Sequence, residues 1–114
     1  GFENEFEQVI VNILNNAIDA KIIKSKTMKF DAKIEINIYK EDKNILISIY
    51  NNCGNIDEKI IDRIFEPYFT TKFEDQGTGI GLYMTKVIIE KNMKGKIEAK
   101  NLNDGVEFII KLRA

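Results

Sequence analysis

The chain lacks histidine and tryptophan altogether, and it has only one cysteine, Cys53, and one proline, Pro67. A lone cysteine cannot close a disulfide within the chain, and without histidine beside it there is no metal-cluster pattern. Scarce cysteine is typical of a reducing compartment, so we expect a cytoplasmic domain.

Long apolar runs and an excess of one charge are also missing. No run reaches the roughly 18 to 20 apolar residues that cross a bilayer, and the start has no signal-peptide pattern. The 17 basic and 18 acidic residues nearly balance, which does not favour a nucleic-acid surface. We therefore expect neither membrane contact nor a nucleic-acid partner for this domain.

The length and composition of the chain suit a single folded domain. The 114 residues, 44% apolar and 31% charged, suffice for a hydrophobic core without disulfides or a structural metal. We assign residues 1–114 to one domain. Because the chain begins with Gly1 and enters a helical pattern at Phe6, we expect it to be a segment of a longer protein.

Hydrophobic spacing predicts the order of helices and strands. Apolar residues spaced i, i+3, i+4 and i+7 predict an amphipathic helix over residues 6–23. Alternation with period two predicts strands at 33–39 and 45–50, joined as an antiparallel hairpin by a polar turn.

The second half of the chain continues with helices and a second hairpin. Its predicted elements are a short helix at 57–64 that ends before Pro67, a polar loop at 70–79, a helix from Ile80, and a hairpin of 96–99 with 106–112 across an Asp-Gly turn. This order predicts an α+β fold, a two-layer α/β sandwich with three helices on one face of a mixed, mostly antiparallel sheet.

The first candidate site is an asparagine-rich flank of the first helix, over residues 12–20. Asparagine is a poor helix former, so this flank costs helical propensity that a function would explain. Asn12 and Asn16 are one turn apart and can present amide oxygens to a hard cation or to phosphate-bound water. Asp19 lies on the same side of the helix. The alternative is a merely solvated polar face.

Three later segments carry further candidate chemistry. Residues 51–56 form a loop after the second strand, and residues 64–72 end in two threonines and the flexible cation Lys72, which is suited to meet phosphates. Residues 77–82 read Gly-Thr-Gly-Ile-Gly-Leu, whose backbone amides can face phosphate at a helix N-terminus. This spacing is neither a P-loop nor a dinucleotide-binding fingerprint.

In this order the four segments resemble the N, G1, F and G2 boxes of the histidine kinase, gyrase, heat-shock chaperone and mismatch-repair ATPase superfamily. They are most similar to the catalytic ATP-binding domain of sensor histidine kinases. The resemblance implies the Bergerat-type ATP-binding fold, MgATP as the ligand, and Asn16 as the magnesium ligand. The residues to which it assigns ATP contacts are Asn12, Asn16, Asp19, Asn51, Gly54, Ile56, Phe69, Thr71, Lys72, Gly77, Thr78, Gly79, Ile80, Gly81 and Leu82.

The chain departs from the family pattern at the end of the pocket that would hold adenine. Asn51 stands where the G1 box has aspartate, Cys53 and Asn55 stand where it has glycines, and Val106 replaces a Thr or Ser. Asn51 can accept a hydrogen bond but also donates, which weakens selection for the adenine amino group. One alternative is therefore a non-catalytic scaffold with a degenerate nucleotide pocket.

The resemblance also implies a reaction and partners. The domain would donate the γ-phosphate of ATP to a histidine on a separate dimerisation domain of a homodimeric two-component kinase, whose further partner is a response regulator. The related ATPases have a glutamate base where this chain has Asn12, so we expect slow hydrolysis. An anti-sigma-type serine kinase of the same fold is a further alternative. Anchoring of the parent protein in the inner membrane is left open.

Overall fold

The computed structural model describes residues 2–69 and 81–113. A long helix, α1 (Phe2–Ser25), precedes the hairpin of β1 (Ile34–Glu41) and β2 (Asn44–Asn51). After a single 3-10 turn at Ile61–Arg63, helix α2 (Gly81–Val87) continues as a π-helical turn at Ile88–Asn92. The second hairpin consists of β3 (Lys96–Leu102) and β4 (Gly105–Arg113).

The four strands form one sheet in the order β1-β2-β4-β3, and every neighbouring pair is antiparallel. Ile49 lies opposite Ile36 on one side and opposite Phe108 on the other, so these three side chains share a face. The loops of both hairpins have two residues, with positive φ at Asp42 and Asn103, as tight hairpins require. The α+β class is confirmed.

Two details differ from the sequence prediction. No parallel pair occurs among the described strands, because the two hairpins are joined through an antiparallel contact of β2 with β4. The predicted helix at 57–64 is instead a series of tight turns. Asp57 accepts from the Lys59 N–H through its side chain, and the next backbone bonds, such as Arg63 N–H to Ile60 O, mostly span three residues.

The hydrophobic core lies between α1, the α2 segment and one face of the sheet. Its fully buried members include Val9 and Ile13 of α1 and Phe108 of β4. Phe65 meets Phe108 edge to face, with ring centroids 6.3 Å apart, which fixes the segment after the 3-10 turn against the sheet. Within the part of the chain that the structure describes, no helix is both long and apolar enough to span a bilayer.

Candidate functional site

A cavity of about 700 Å³ opens between the C-terminal half of α1, the loop after β2 and the start of α2. It brings together members of all four sequence segments. The predicted site residues that line it are Asn12, Asn16, Asp19, Asn51, Gly54, Ile56, Phe69, Gly81 and Leu82. The predicted residues Thr71, Lys72, Gly77, Thr78, Gly79 and Ile80 lie outside the described residues.

Asn12 joins α1 to the start of α2. Its Nδ2 donates to the backbone oxygen of Gly81 at 3.0 Å and to Oγ1 of Thr85 at 3.2 Å, while its Oδ1 accepts from Gln8 at 2.8 Å. Thr85 is fully buried, and its hydroxyl also donates to Gly81 O. The amide of Asn12 therefore positions the two helices that border the cavity.

Asn16 and Asp19 face the same cavity one and two turns further along α1, and both are half-buried. An amide oxygen and a carboxylate are hard donors of the kind Mg²⁺ prefers, and that ion usually takes only one or two protein ligands beside water and phosphate. No cluster of three or more acidic or cysteine side chains that could hold a metal occurs in the described ranges. These residues fit a magnesium ion shared with a phosphate ligand, not a closed metal site.

The opposite wall begins where β2 ends. Asn51 is only 3% exposed, and its Oδ1 accepts from the backbone N–H of Cys53 at 3.0 Å. Cys53 is also buried, and this burial raises the pKa of its thiol. The thiol is therefore neutral at physiological pH and contributes a weakly polar surface to the cavity.

The loop at 51–56 is held by asparagine side chains. Asn52 bonds the backbone of Lys33 and Asp31 at 2.7 and 2.8 Å, and Asn55 donates to the backbone oxygen of Gly105 at 2.8 Å. Asn55, which stands where the family has a glycine, and its neighbour Asn52 thus stabilise the loop through backbone contacts.

Asn101 of β3 is a site-supporting residue that the sequence analysis missed. Its side chain accepts from the N–H of Ile56 at 2.8 Å and donates to the Ile56 oxygen at 2.7 Å and to Glu58 at 2.7 Å. It therefore fixes the backbone of a cavity-lining residue from both sides. Nothing in the local pattern of a polar strand position indicates a contact 45 residues away.

Gly105 is required by the close approach of two chain segments. A Cβ at this position would lie 1.7 Å from the backbone oxygen of Asn51. The turn predicted over residues 103–105 is one residue shorter in the structure: the loop is Asn103 and Asp104, and Gly105 already belongs to β4.

The sequence analysis also missed the lining contributed by the last turns of α1. These residues follow Asn16 at helical spacing, which is the signal that would have found them. They are Ala20, Ile23 and Lys24, and the other lining residues outside the predicted set are Asn15, Cys53, Asn55, Asp57, Ile60, Ile64 and Val106.

Lys24 is the cation among the described residues that line the cavity. Its Nζ donates to the backbone oxygen of Asn52 at 3.0 Å and lies 4.3 Å from the centre of the Phe30 ring. These contacts hold the ammonium group beside the loop that follows β2.

Comparison with known proteins places this architecture in a family. The profile of the histidine kinase-, DNA gyrase B- and HSP90-like ATPases matches residues 1–114. The two-component sensor PprA of Pseudomonas aeruginosa is 35% identical over 98% of this chain, and the sensor protein KdpD of Clostridium acetobutylicum is 38% identical over 87%. This chain spans only 12% and 11% of the lengths of those two relatives.

Solved structures agree with that match. The catalytic domain of the histidine kinase ThkA superposes with a TM-score of 0.80 at 34% identity, covering 96% of this chain and 66% of that one. A complex of ThkA with the response regulator protein TrrA gives a TM-score of 0.73 at 30% identity, covering 95% of this chain and 28% of that one.

Proposed function

The chain belongs to the histidine kinase-, DNA gyrase B- and HSP90-like ATPase family and is of the histidine kinase type. On that premise we propose that it binds MgATP and presents the γ-phosphate to a histidine on another domain of its parent protein. The observation that carries this proposal is the convergence of all four boxes on one cavity of about 700 Å³. Such a volume is ordinary for a ligand of nucleotide size.

The two walls suggest which end of the nucleotide lies where. Asn16 and Asp19 supply hard oxygen donors, so the magnesium ion and the phosphates belong beside α1. The loop after β2 supplies Asn51 and a largely apolar surround, which suits the base. Lys72 and the backbone amides of residues 77–81 are proposed to meet the outer phosphates.

When bound, magnesium neutralises phosphate charge, and transfer of a phosphoryl group then depends mainly on positioning. Asn12 cannot remove a proton from water, and its Nδ2 is already bonded to Gly81 and Thr85. The chain thus lacks a base at the position where the hydrolysing relatives have glutamate. This favours transfer to a protein side chain over release of phosphate to water.

The acceptor histidine is proposed to lie in a separate dimerisation domain, because this chain contains no histidine. A response regulator is the proposed downstream partner, supported by the similarity to ThkA in its complex with the response regulator protein TrrA. The parent protein is proposed to be a homodimer whose catalytic domain lies in the cytoplasm.

Thermal unfolding with and without MgATP tests nucleotide binding. A ligand that binds only the folded state stabilises it by about 2.7 kcal/mol at a concentration one hundred times Kd, so the melting temperature should rise with nucleotide concentration. No shift at millimolar MgATP would favour the scaffold alternative. In the parent protein, an acid-labile phosphoryl label indicates phosphohistidine, whereas an acid-stable label would favour the serine-kinase alternative.

A further inference from the structure

Asn51 presents a hydrogen-bond donor where an aspartate would present an acceptor. We propose that this donor makes the pocket accept 6-oxopurine nucleotides, with hypoxanthine or guanine as the base, at least as well as adenine nucleotides. The inference deepens the proposed function and rests on it, because it concerns the base end of the same cavity.

The orientation of the Asn51 amide is fixed by its own loop. Oδ1 accepts the Cys53 N–H at 3.0 Å, and in the flipped amide Nδ2 would meet that N–H, so that two donors faced each other. The buried N–H of Cys53 would then lose its acceptor, which costs more than an average hydrogen bond contributes. Nδ2 is consequently the amide atom turned away from the loop backbone.

The donor at Nδ2 is available to a ligand. Asn51 is 97% buried by the protein and lines the cavity, yet within residues 2–69 and 81–113 its Nδ2 makes no hydrogen bond. No fully buried side-chain nitrogen or oxygen lacks a partner among the described residues, so Nδ2 is reached from the cavity, where an acceptor on the bound molecule can pair with it.

The chemistry at position 6 of a purine decides which base meets this requirement. Adenine carries an amino group there, which donates, whereas hypoxanthine and guanine carry an oxygen, which accepts. Nδ2 facing the 6-amino group of adenine places two donors together, whereas Nδ2 facing the 6-oxygen of hypoxanthine or guanine completes a hydrogen bond. Sites that hydrogen-bond a specific group discriminate strongly against an analogue that cannot reciprocate.

The neighbouring side chains strengthen the same preference. Lys24 lines the cavity and carries only donors, and the hydroxyl that would bridge to adenine in the family is absent at Val106, which is 4% exposed. On this side of the cavity, Asn51 and Lys24 thus both present donors.

Inosine triphosphate is the most direct probe, because it shares the ribose and triphosphate of ATP and lacks the 2-amino group of guanine. Competition of ITP and of ATP against a fluorescent nucleotide, at equal magnesium, measures the ratio of their dissociation constants. We expect wild-type protein to bind ITP at least as tightly as ATP. The matched variant is Asn51→Asp, which keeps an oxygen for the Cys53 N–H and replaces Nδ2 by a second acceptor.

The variant should shift the ratio toward ATP by about 10-fold or more, the size expected for exchanging a matched for a mismatched hydrogen bond in a buried site. A wild-type preference for ATP of 10-fold or more would overturn the inference while leaving the proposed function intact. Absence of binding by both nucleotides would overturn both. The wild-type ratio decides the matter even if Asn51→Asp fails to fold.

Discussion

The two walls of the cavity use the same residue type in opposite ways. On α1 the backbone amides are already paired within the helix, so the asparagines direct their side chains outward to the cavity and to α2. After β2 the backbone leaves the sheet, and asparagine side chains are bonded to backbone groups of the loop or its neighbours. A side-chain atom of these asparagines is thus open to a ligand where the backbone leaves it without a partner, as at Nδ2 of Asn51.

The largest difference in stability between variants of the two walls is expected at Gly105, because the wall after β2 depends on the close approach of Gly105 to Asn51. Gly105→Ala would place a Cβ 1.7 Å from the Asn51 oxygen, so we expect a loss of about 3 kcal/mol or more in unfolding free energy. Gly81→Ala is the control on the α1 side, because its Cβ would come no closer than 3.8 Å to Asn12.

Urea unfolding of both variants measures the difference. Gly81→Ala should change the free energy by no more than about 1 kcal/mol, since alanine is the better helix former. Equal destabilisation by the two substitutions would contradict the close approach of β2 and β4 described above.

A smaller effect is expected at Asn101, which holds the loop wall through Ile56. Asn101→Ala leaves the N–H and oxygen of Ile56 without their partners, so the unfolding free energy should fall by about 2 kcal/mol. Asn37→Ala, at an exposed position of β1, is the matched control and should change it little. If the two variants unfold at the same urea concentration, Asn101 does not support the site.

The smallest effect concerns the pH dependence of the turn beside Gly105. The Tyr50 hydroxyl donates to Asp104 at 2.8 Å. Burial and this bond raise the pKa of Tyr50 to about 12, and the same bond lowers the pKa of Asp104. The stabilisation from Asp104 is present above its ordinary pKa of 3.8 and is lost as pH falls through its lower folded value. The stabilisation from Tyr50 is present below pH 10.0 and is lost as pH rises through about 12.

Tyr50→Phe should therefore reduce stability by a constant amount between about pH 5 and pH 9, and the difference from wild type should shrink outside that range. Unfolding free energies across the pH range measure this directly. A difference that stays constant down to pH 2 would show that the hydroxyl–carboxylate contact does not stabilise the turn.

Much of this architecture could be predicted because the signals are local. The apolar spacing of α1 predicts the helix, the alternation in β1 and β2 predicts the first hairpin, and the Asp-Gly signal predicts the second hairpin. The order of the four motifs predicts that they meet at one site. Predictions from local sequence patterns were wrong or incomplete where contacts with distant segments determine the structure. Residues 57–64 look helical but form turns around Asp57, and Ile38 in the alternating β1 is 69% exposed because β1 lies at the edge of the sheet. The roles of Asn101 and Gly105 depend on segments about 45 and 54 residues away.

The central claim, one nucleotide site with its magnesium end on α1, is tested most directly by titration calorimetry of ATP with and without Mg²⁺ on wild type and Asn16→Ala. We predict that magnesium tightens ATP binding to the wild type and has little effect on the variant, while the metal-free affinities stay similar. An undiminished magnesium effect in Asn16→Ala would contradict the assignment, and no ATP binding to the wild type would contradict the site itself.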